Sequence, residues 1–307
     1  MKLVNFTVAG SPRLGAIIDE KAIDLSQAYL AFQQKQGKMS SFPSGYPTDM
    51  LTYLQSGDKA QQAAQEVINW ISSSYASLSH QQFVYPISRI QIDPPIRSPS
   101  KIICIGLNYA DHCREQNFDI PESLILFAKF PSAVIGTGDS ITWSGEVSQQ
   151  VDYEAELAVV IGRKARNVPE DKAYEHIGGY TIVNDVSARD VQFADKQWVR
   201  GKSFDTFCPL GPYLVTPNEV GNPHHLAISC WVNGELRQDS STDQMIFKIP
   251  EAIAFITRTC TLLPGDIIST GTPDGVGVFR KPPVFLKPGD VVEIEIEKLG
   301  RLRNPIM

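Results

Sequence analysis

Residues 151–162 read VDYEAELAVVIG, and the alternation in this stretch predicts a β-strand with three acidic residues on one face. Asp152, Glu154 and Glu156 stand at alternate positions, and successive side chains of an extended strand point to opposite faces. The residues between them are apolar or aromatic, and they lead into the apolar run 158–161. Like charges along one strand face repel, and a carboxylate beside apolar residues is unfavourable unless a cation neutralises it.

Two interpretations of this strand remain open from the segment alone. Acidic residues that alternate with apolar ones are typical of a strand with one face in water. A divalent metal ion held by the carboxylates would also explain the pattern. The second interpretation requires further ligands and a charge-balancing residue from other parts of the chain.

The composition is that of an ordinary globular protein. Of the 307 residues, 42% are hydrophobic and 20% are charged, and the formal net charge is −6. This acidic balance argues against nucleic acid or an anionic membrane surface as a partner. No apolar run reaches the roughly 18 residues that span a bilayer. The five dispersed cysteines lack a CxxC spacing and predict reduced thiols, and the N-terminus shows no signal or transit peptide, so we expect a cytoplasmic protein.

The chain divides into two regions at a proline-rich segment, QIDPPIRSPS at 91–100, which predicts a linker. Residues 1–95 form the smaller domain, of α+β type, with the linker running to about residue 100. Residues 101–307 are expected to form the larger domain. The fold class is α+β, mostly β, and the larger domain is expected to be a mixed, largely antiparallel β-roll or barrel.

The predicted elements follow from periodicity and from breakers such as Gly, Pro and Asn. Strands are expected at 1–8, 13–24, 102–105, 159–161, 180–183, 227–232, 266–270 and 291–297. Helices are expected at 26–36, 59–72, 111–116, 171–177 and 250–259. A turn is expected at 10–12, and Pro-Gly-Asp at 264–266 and 288–290 predicts two turns that lead into strands.

A second motif is YTIVNDVSARDVQ, residues 180–192. An apolar strand ends at Asp185, which either caps or turns the chain or meets the carboxylate strand. Arg189 and Gln192 follow at spacings of four and three, so a helical turn would place them on the side of Asp185. A carboxylate, a guanidinium and an amide would then form an anion-binding edge beside a metal.

A third motif is RGKSFD at 200–205, which contains Lys202. A lysine in such a loop is commonly solvated. In a pocket rich in carboxylates it would balance charge instead, because three carboxylates and one divalent ion leave one negative charge that a single lysine neutralises.

A fourth motif is NYADHCREQN at 108–117. His112 and Glu115 are three residues apart on a helical turn, so they can hydrogen-bond, and the glutamate would raise the basicity of the imidazole. Such a pair can activate water, although a solvated amphipathic turn is the alternative. Cys113 is adjacent to His112 and points away from it on a helix, so a Cys–His dyad is not expected.

The glycine-rich segment TGTPDGVGVF at 270–279 follows a strand but lacks the lysine of a P-loop. We expect a tight loop that brings backbone N–H groups and Thr272 near a small anionic ligand.

Together these motifs resemble the fumarylacetoacetate hydrolase superfamily over about residues 101–307. The resemblance rests on the order and spacing of NYADHCRE, DYEAELAVVIG, NDVSARDVQ, GKSFDTFCPLGP and LLPGDIISTGTPDGVGVFRKPPVFLKPGD. Within the superfamily the chain looks most similar to the branch called fumarylacetoacetate hydrolase domain-containing protein 2, whose N-terminal extension is also similar to residues 1–90. The resemblance implies a β-roll catalytic domain and a homodimer.

The resemblance also implies a role for each motif. The implied ligands of Mg²⁺ or Mn²⁺ are Glu154, Glu156 and Asp185. The implied catalytic residues are His112 and Glu115, a dyad on a lid, and Lys202. The implied substrate-binding residues are Arg189, Gln192 and Thr272. Asp152 matches no family ligand and is expected to support the ligands as a neighbour.

One position departs from fumarylacetoacetate hydrolase itself. That enzyme has a further metal-binding aspartate seven residues before the lid histidine, and Ile105 stands at this position. The difference argues against fumarylacetoacetate as the substrate and favours smaller 2-oxo acids.

Three functions are compatible with these residues. The leading hypothesis is a Mg²⁺-dependent hydrolase that cleaves a carbon–carbon bond in a small acylpyruvate-type 2,4-dioxo acid through a metal-stabilised enolate, with the His–Glu dyad activating water. The alternative is an oxaloacetate keto–enol tautomerase or decarboxylase with the same metal site, and the sequence does not separate the two. A non-catalytic small-molecule binding protein is the third, which the presence of every implied ligand and dyad residue disfavours. The substrate expected is a small 2-oxo acid or 1,3-dicarbonyl.

Overall fold

In the computed structural model the chain is described over residues 1–73 and 81–307. Strands β1 to β18 span Lys2–Val8, Ser11–Ile18, Lys21–Asp24, Val84–Pro86, Gln91–Asp93, Ile102–Gly106, Ile125–Lys129, Val134–Ile135, Val151–Asp152, Ala155–Ile161, Ile177–Asn184, Ser187–Ala188, Cys208–Val215, Ala227–Val232, Glu235–Ser241, Ile267–Ser269, Val291–Ile296 and Gly300–Pro305. Helices α1 to α8 span Leu25–Gln36, Met50–Gln55, Gly57–Ser73, Ala110–Gln116, Arg189–Ala194, Val199–Lys202, Pro217–Val220 and Ile249–Thr259. Within these ranges, no helix has the length and apolarity needed to cross a bilayer.

One mixed sheet organises the fold. In the described residues its strands follow the order β4-β3-β2-β1-β13-β11-β10-β16-β6-β7, with β5 paired to β1 and β8 paired to β13. Most neighbours are antiparallel, whereas β6 with β16 and β8 with β13 are parallel. The path ends at β4 and β7, so the sheet is open, and the barrel alternative is wrong. The fold class expected from the sequence, mostly β with a mixed sheet, is confirmed.

The N-terminal segment joins this sheet through β1, in which Leu3 lies opposite Leu214 of β13. Residues from both regions, such as Ile23 and Val183, share one buried cluster. Part of the segment predicted as a linker is strand β5, which pairs with residues 5–7. The domain boundary near residues 95–101 stays a prediction. The large sheet contains strands from both sides of this boundary.

The N-terminal turns differ from the prediction. Residues 13–24 do not form one strand, because β2 and β3 are a hairpin whose turn residues Asp19 and Glu20 have φ of 45° and 59°. The turn expected at 10–12 lies at Ala9 and Gly10, with φ of 47° and 77°. Consecutive positive φ values are what a two-residue hairpin turn requires, and Asp-Glu is not a sequence that predicts them. The helix expected at 171–177 is a 3₁₀ helix, Glu170–His176.

The antiparallel pairing of β10 positions the functional residues. β10 begins opposite the end of β11, where Ala155 lies opposite Asn184, and β16 ends at Ser269, opposite Ala158. Side chains at the start of β10 therefore meet those just beyond β11 and β16. A second sheet, with order β15-β14-β17-β18, shares a buried hydrophobic cluster with residues of β10 and β11.

Candidate active site

Three buried carboxylates form the centre of the site. Glu154, Glu156 and Asp185 each offer an oxygen atom, and these oxygens lie within 4.8 Å of one another. Glu156 belongs to β10, Glu154 immediately precedes it, and Asp185 follows β11. The Asp185 N–H donates to the backbone oxygen of Glu154 at 2.9 Å, which ties the two strand ends together.

The acidic strand is interrupted within this centre. β9 ends at Asp152 and β10 begins at Ala155, so the continuous strand predicted over 151–157 is wrong at residues 153–154. Glu154 and Glu156 lie close to Asp185, whereas Asp152 is not part of this triad.

Asp152 holds an arginine and a loop in place. Its Oδ2 accepts from the Arg189 Nε at 2.9 Å, and its Oδ1 accepts from the Gly277 N–H at 2.7 Å. Arg189 in turn contacts the Glu154 Oε1 through Nη1 at 2.6 Å, and the same Nη1 donates to the Gln192 Oε1 at 3.1 Å. Asp152 therefore reaches Glu154 through Arg189. Arg189 and Gln192 lie together on α5, but Asp185 precedes that helix and does not share its face.

Two buried lysines neutralise the carboxylates. Lys202 donates from Nζ to the Glu154 Oε2 at 2.7 Å and to the Asp185 Oδ2 at 2.8 Å. Lys129, at the end of β7, donates to the Asp185 Oδ1 at 2.6 Å, to the Val186 carbonyl at 3.1 Å and to the Lys202 carbonyl. The sequence reasoning missed Lys129. The sequence feature that could have indicated Lys129 is that it is a single lysine inside the otherwise apolar run ILFAKF at 125–130.

The charge balance predicted with a single lysine is therefore wrong. Four buried carboxylates, including Asp152, face three buried cations, Lys129, Lys202 and Arg189. With every group ionised, these seven side chains sum to one net negative charge, which a divalent cation would change to one net positive charge. A centre of that charge suits an anionic ligand.

The ionisation of the two glutamates differs because of their neighbours. Burial tends to raise the pKa of Glu154, but the charges of Lys202 and Arg189 outweigh it and lower that pKa to about 2. Burial, followed by the like charges of Asp185 and Glu154, raises the pKa of Glu156 well above its usual value. Burial lowers the pKa of Lys202, but the charges of Asp185 and Glu154 outweigh it and the net shift is upward.

The donor set fits a divalent metal ion. Glu156 accepts from the Ser269 hydroxyl at 2.6 Å and from the Gly271 N–H at 2.9 Å, and no lysine or arginine of the described chain is paired with it. Its charged form therefore needs a further cation. Three carboxylate ligands without nitrogen or sulfur are typical of hard divalent cations.

The carboxylates open into a cavity of about 260 Å³. Seven of the nine site residues named from the sequence line it: His112, Glu154, Glu156, Arg189, Gln192, Lys202 and Thr272. Asp185 lies behind the wall against the two lysines, and Glu115 lies behind His112. The remaining wall is largely apolar and includes Ile105, Leu107, Phe127, Trp198 and Phe279. Ile105 thus contributes an apolar surface where fumarylacetoacetate hydrolase is expected to have an aspartate.

The His112–Glu115 pair is close but is not hydrogen-bonded. The His112 Nδ1 lies 3.4 Å from the Glu115 Oε2, and within the described residues neither atom has a hydrogen-bond partner. The other oxygen of Glu115 accepts from the Gly275 N–H at 3.1 Å. The hydrogen bond predicted from the helical spacing is therefore absent, because the glycine-rich loop holds the carboxylate.

The glycine-rich loop donates backbone hydrogen bonds to carboxylates of the site. Its N–H groups at Gly271, Gly275 and Gly277 donate to Glu156, Glu115 and Asp152 respectively. The sequence predicted that N–H groups of this loop face a small anionic ligand. That prediction is wrong for Gly271, Gly275 and Gly277, whose N–H groups bond to carboxylates of the protein. A side chain at Gly277 is excluded, since a Cβ there would lie 1.9 Å from the carbonyl oxygen of Val284.

The sequence matches the family model described as "Fumarylacetoacetate (FAA) hydrolase C-terminal" over residues 101–307. The chain belongs to the fumarylacetoacetate hydrolase family.

Similar proteins extend this likeness over the whole chain. "Oxaloacetate tautomerase fahd2, mitochondrial" of Xenopus laevis is 46% identical, over 100% of this chain and 90% of the relative. "Oxaloacetate tautomerase YisK" of Bacillus subtilis is 43% identical, over 95% of each chain. Among solved structures, "Fumarylacetoacetate hydrolase (EaFAH)" of Exiguobacterium antarcticum is 32% identical with a TM-score of 0.78, over 100% of this chain and 99% of that one.

Proposed function

We propose that this chain interconverts the keto and enol forms of oxaloacetate at a divalent metal, Mg²⁺ or Mn²⁺, held by Glu154, Glu156 and Asp185. One observation carries the proposal: two members of the buried carboxylate triad, Glu154 and Glu156, line a cavity together with Arg189 and Lys202, in a chain 46% identical over its full length to a relative named for this activity. The tautomerase, which the sequence left as the alternative to acylpyruvate hydrolysis, therefore becomes the leading function.

The charge of the site supports a small dianionic substrate. With a divalent ion the buried group carries one net positive charge, and burial strengthens its attraction for an anion. Arg189, Gln192 and Thr272 line one cavity and offer donors for carboxylate oxygens. We assign the orientation of the substrate carboxylates to these three side chains.

Proton transfer at C3 is the chemical step that tautomerisation requires. A divalent ion would supply a Lewis acid that polarises the keto group and makes the C3 proton more acidic. His112 lines the cavity, and its Nδ1 lies 3.4 Å from the Glu115 Oε2, so we assign the Nε2 as the base. In the proposed role His112 takes the proton from C3 and delivers it to the C2 oxygen as the enol forms, and it reverses both transfers when the keto form is restored. Lys202 adds positive potential where negative charge develops on the substrate oxygen.

The apolar wall supports this reaction over hydrolysis. Keto–enol exchange consumes no water, and Phe127, Trp198 and Phe279 reduce the space for water around the substrate. The second candidate, hydrolysis of a small acylpyruvate, is favoured by the position of His112 on the cavity wall with a carboxylate oxygen of Glu115 3.4 Å from its Nδ1.

The test compares three reactions side by side with purified protein. The disappearance of enol-oxaloacetate is followed by its ultraviolet absorbance, CO₂ release from oxaloacetate is followed separately, and acetylpyruvate cleavage is the third assay. We expect acceleration of the first reaction, loss of activity with EDTA and recovery with Mg²⁺ or Mn²⁺. Enol loss at the buffer rate would refute the proposal, and acetylpyruvate cleavage without enol loss would favour the second candidate.

A matched pair of variants tests the metal assignment. Glu154→Gln should reduce kcat/KM for enol-oxaloacetate by about 10²-fold or more and should weaken Mn²⁺ binding in calorimetry. Glu175→Gln, which alters an exposed carboxylate outside the cavity, should leave both unchanged. Full activity of Glu154→Gln would contradict the ligand assignment.

We also propose a homodimer located in the cytoplasm that does not bind nucleic acid. The family resemblance supports the first of these features, and the net charge of −6 supports the last. Sedimentation of the purified chain and fractionation of cells that produce it test the assembly and the location.

A further inference from the structure

Gln238 lies beneath the cavity and connects two parts of the site. It belongs to β15, and only 1% of its surface is exposed. Its Oε1 accepts from the N–H of Ala155, the residue between Glu154 and Glu156, at 2.9 Å. Its Nε2 donates to the Thr272 hydroxyl at 2.8 Å and to the Pro273 carbonyl at 3.0 Å. One amide therefore joins the carboxylate strand to the loop that carries Thr272.

Two backbone groups fix the orientation of this amide. The Ala155 N–H can only donate, so the side-chain oxygen of Gln238 must face it. The Pro273 carbonyl can only accept, so the NH₂ group faces Pro273 and the neighbouring Thr272 hydroxyl. The exchanged orientation would place two donors against each other at Ala155 and two acceptors against each other at Pro273.

The polarity of the Thr272 hydroxyl follows from this orientation. Its oxygen accepts the Gln238 proton, so its own single proton is not used in that bond. Because Thr272 lines the cavity, this proton is available to a ligand there. A hydrogen bond donated to a carboxylate is roughly twice as strong as one between neutral groups.

We propose that Gln238 is a positioning residue that keeps Thr272 as a hydrogen-bond donor to a carboxylate oxygen of the substrate. The inference rests on the proposed function for its substrate class, the 2-oxo acids. It adds that one end of the cavity is built to recognise an anionic oxygen through a hydroxyl donor of fixed polarity. A residue outside the cavity thereby contributes to substrate affinity.

The competing explanation is purely structural, with Gln238 holding Ala155 and the metal ligands beside it. The two explanations predict different losses. A positioning role weakens ligand binding and leaves metal binding intact, and it requires Thr272. A structural role weakens metal binding whether or not Thr272 has its hydroxyl.

The experiment uses oxalate, a dianion that resembles the carboxylate and keto oxygens of a 2-oxo acid, titrated by calorimetry into the full chain loaded with Mn²⁺. Thr272→Val should weaken oxalate binding about 10- to 100-fold with unchanged Mn²⁺ affinity. Thr272→Ser, which keeps the hydroxyl, should stay within about threefold of the wild type. Gln238→Met should weaken oxalate binding in the same direction, and in the Thr272→Val background it should add less than about twofold.

The inference would be overturned if Thr272→Val and Gln238→Met weakened oxalate binding independently of each other. It would also be overturned if Gln238→Met lost as much affinity for Mn²⁺ as for oxalate. If Gln238→Met fails to fold by circular dichroism, Gln238→Glu provides the test. Its carboxylate keeps the length of the side chain but accepts the Thr272 proton, so oxalate binding should again weaken. Unchanged oxalate binding in that variant would also overturn the inference.

The result separates this inference from the proposed function. Oxalate binding that depends on Gln238 and Thr272, in a protein that does not accelerate enol–keto exchange, would support the positioning role and refute the tautomerase. Tautomerase activity together with oxalate binding that ignores both residues would support the function and refute the positioning role.

Discussion

Replacement of Lys129 by methionine should destabilise the protein strongly, although this residue does not line the cavity. The Lys129 side chain is 0% exposed, and its ammonium group donates to a carboxylate and to two backbone carbonyls. Methionine keeps an unbranched apolar side chain in the same space and removes the charge and all three hydrogen bonds. The variant therefore measures the contribution of the buried cation with little change in packing.

The magnitude follows from the partners that Lys129 leaves behind. Removing one member of a buried ion pair costs about 3–5 kcal/mol of the free energy of unfolding. Asp185 retains Lys202 at 2.8 Å, which reduces this loss. The carbonyls of Val186 and Lys202 lose a donor, which adds about 1–3 kcal/mol for each acceptor that stays unsatisfied. The two corrections have opposite signs, so we expect a loss of about 3–5 kcal/mol.

The assay is urea denaturation followed by circular dichroism, with EDTA present so that bound metal does not add stability by mass action. Lys172→Met is the matched control, because it removes a lysine from an exposed pair with Glu175 at 2.9 Å. That control should leave the free energy of unfolding unchanged within the error of the measurement, because exposed ion pairs contribute little. A loss below about 1 kcal/mol in Lys129→Met, or equal losses in the two variants, would refute the argument from burial.

Two further predictions concern the carboxylate centre and the histidine. Glu156→Gln should stabilise the metal-free protein at neutral pH by about 1 kcal/mol or more. Folding raises the pKa of Glu156, so the contribution of this carboxyl to stability is full below its pKa in the unfolded chain and is lost as pH rises through its pKa in the folded protein. Urea titrations in EDTA should show this gain at pH 7 and its disappearance near pH 4, and a gain that persists undiminished in acid would contradict the sign. His112→Ala should slow enol–keto exchange by about 10²- to 10⁴-fold and leave Mn²⁺ affinity unchanged, with His176→Ala as a control outside the cavity. Loss of Mn²⁺ affinity in His112→Ala would instead indicate a ligand.

The site residues that could be predicted lie in short local motifs. Glu154 and Glu156 lie two residues apart at the start of β10, and Arg189 and Gln192 share one helix, so short local spacings bring each pair together. Lys129 and Gln238 are single residues on separate strands, with no neighbour in sequence to mark them. Their roles depend on the register of strands distant along the chain, which a local pattern does not encode.

Local expectations failed where tertiary contacts competed with them. The strand over 151–157 is broken where side chains replace strand partners, because the Glu154 N–H bonds to the Asn184 side chain and the Ala155 N–H bonds to the Gln238 side chain. The His112–Glu115 hydrogen bond is absent because the Gly275 N–H holds one carboxylate oxygen. In each case a partner from a distant segment satisfies a group that the sequence had assigned to local structure.

The sequence by itself determined the fold class and the residue types at the centre of the site, because alternation, breakers and motif order are properties of the chain. The tertiary structure alone decided how charge is distributed among them. In the described part of the fold, Glu154 and Asp185 have lysine partners and Glu156 has neither a lysine nor an arginine partner. Apolar side chains form the rest of the cavity wall. The physical reason is that the pKa of a buried group and the polarity of a buried hydrogen bond depend on neighbours that only folding brings within a few ångströms.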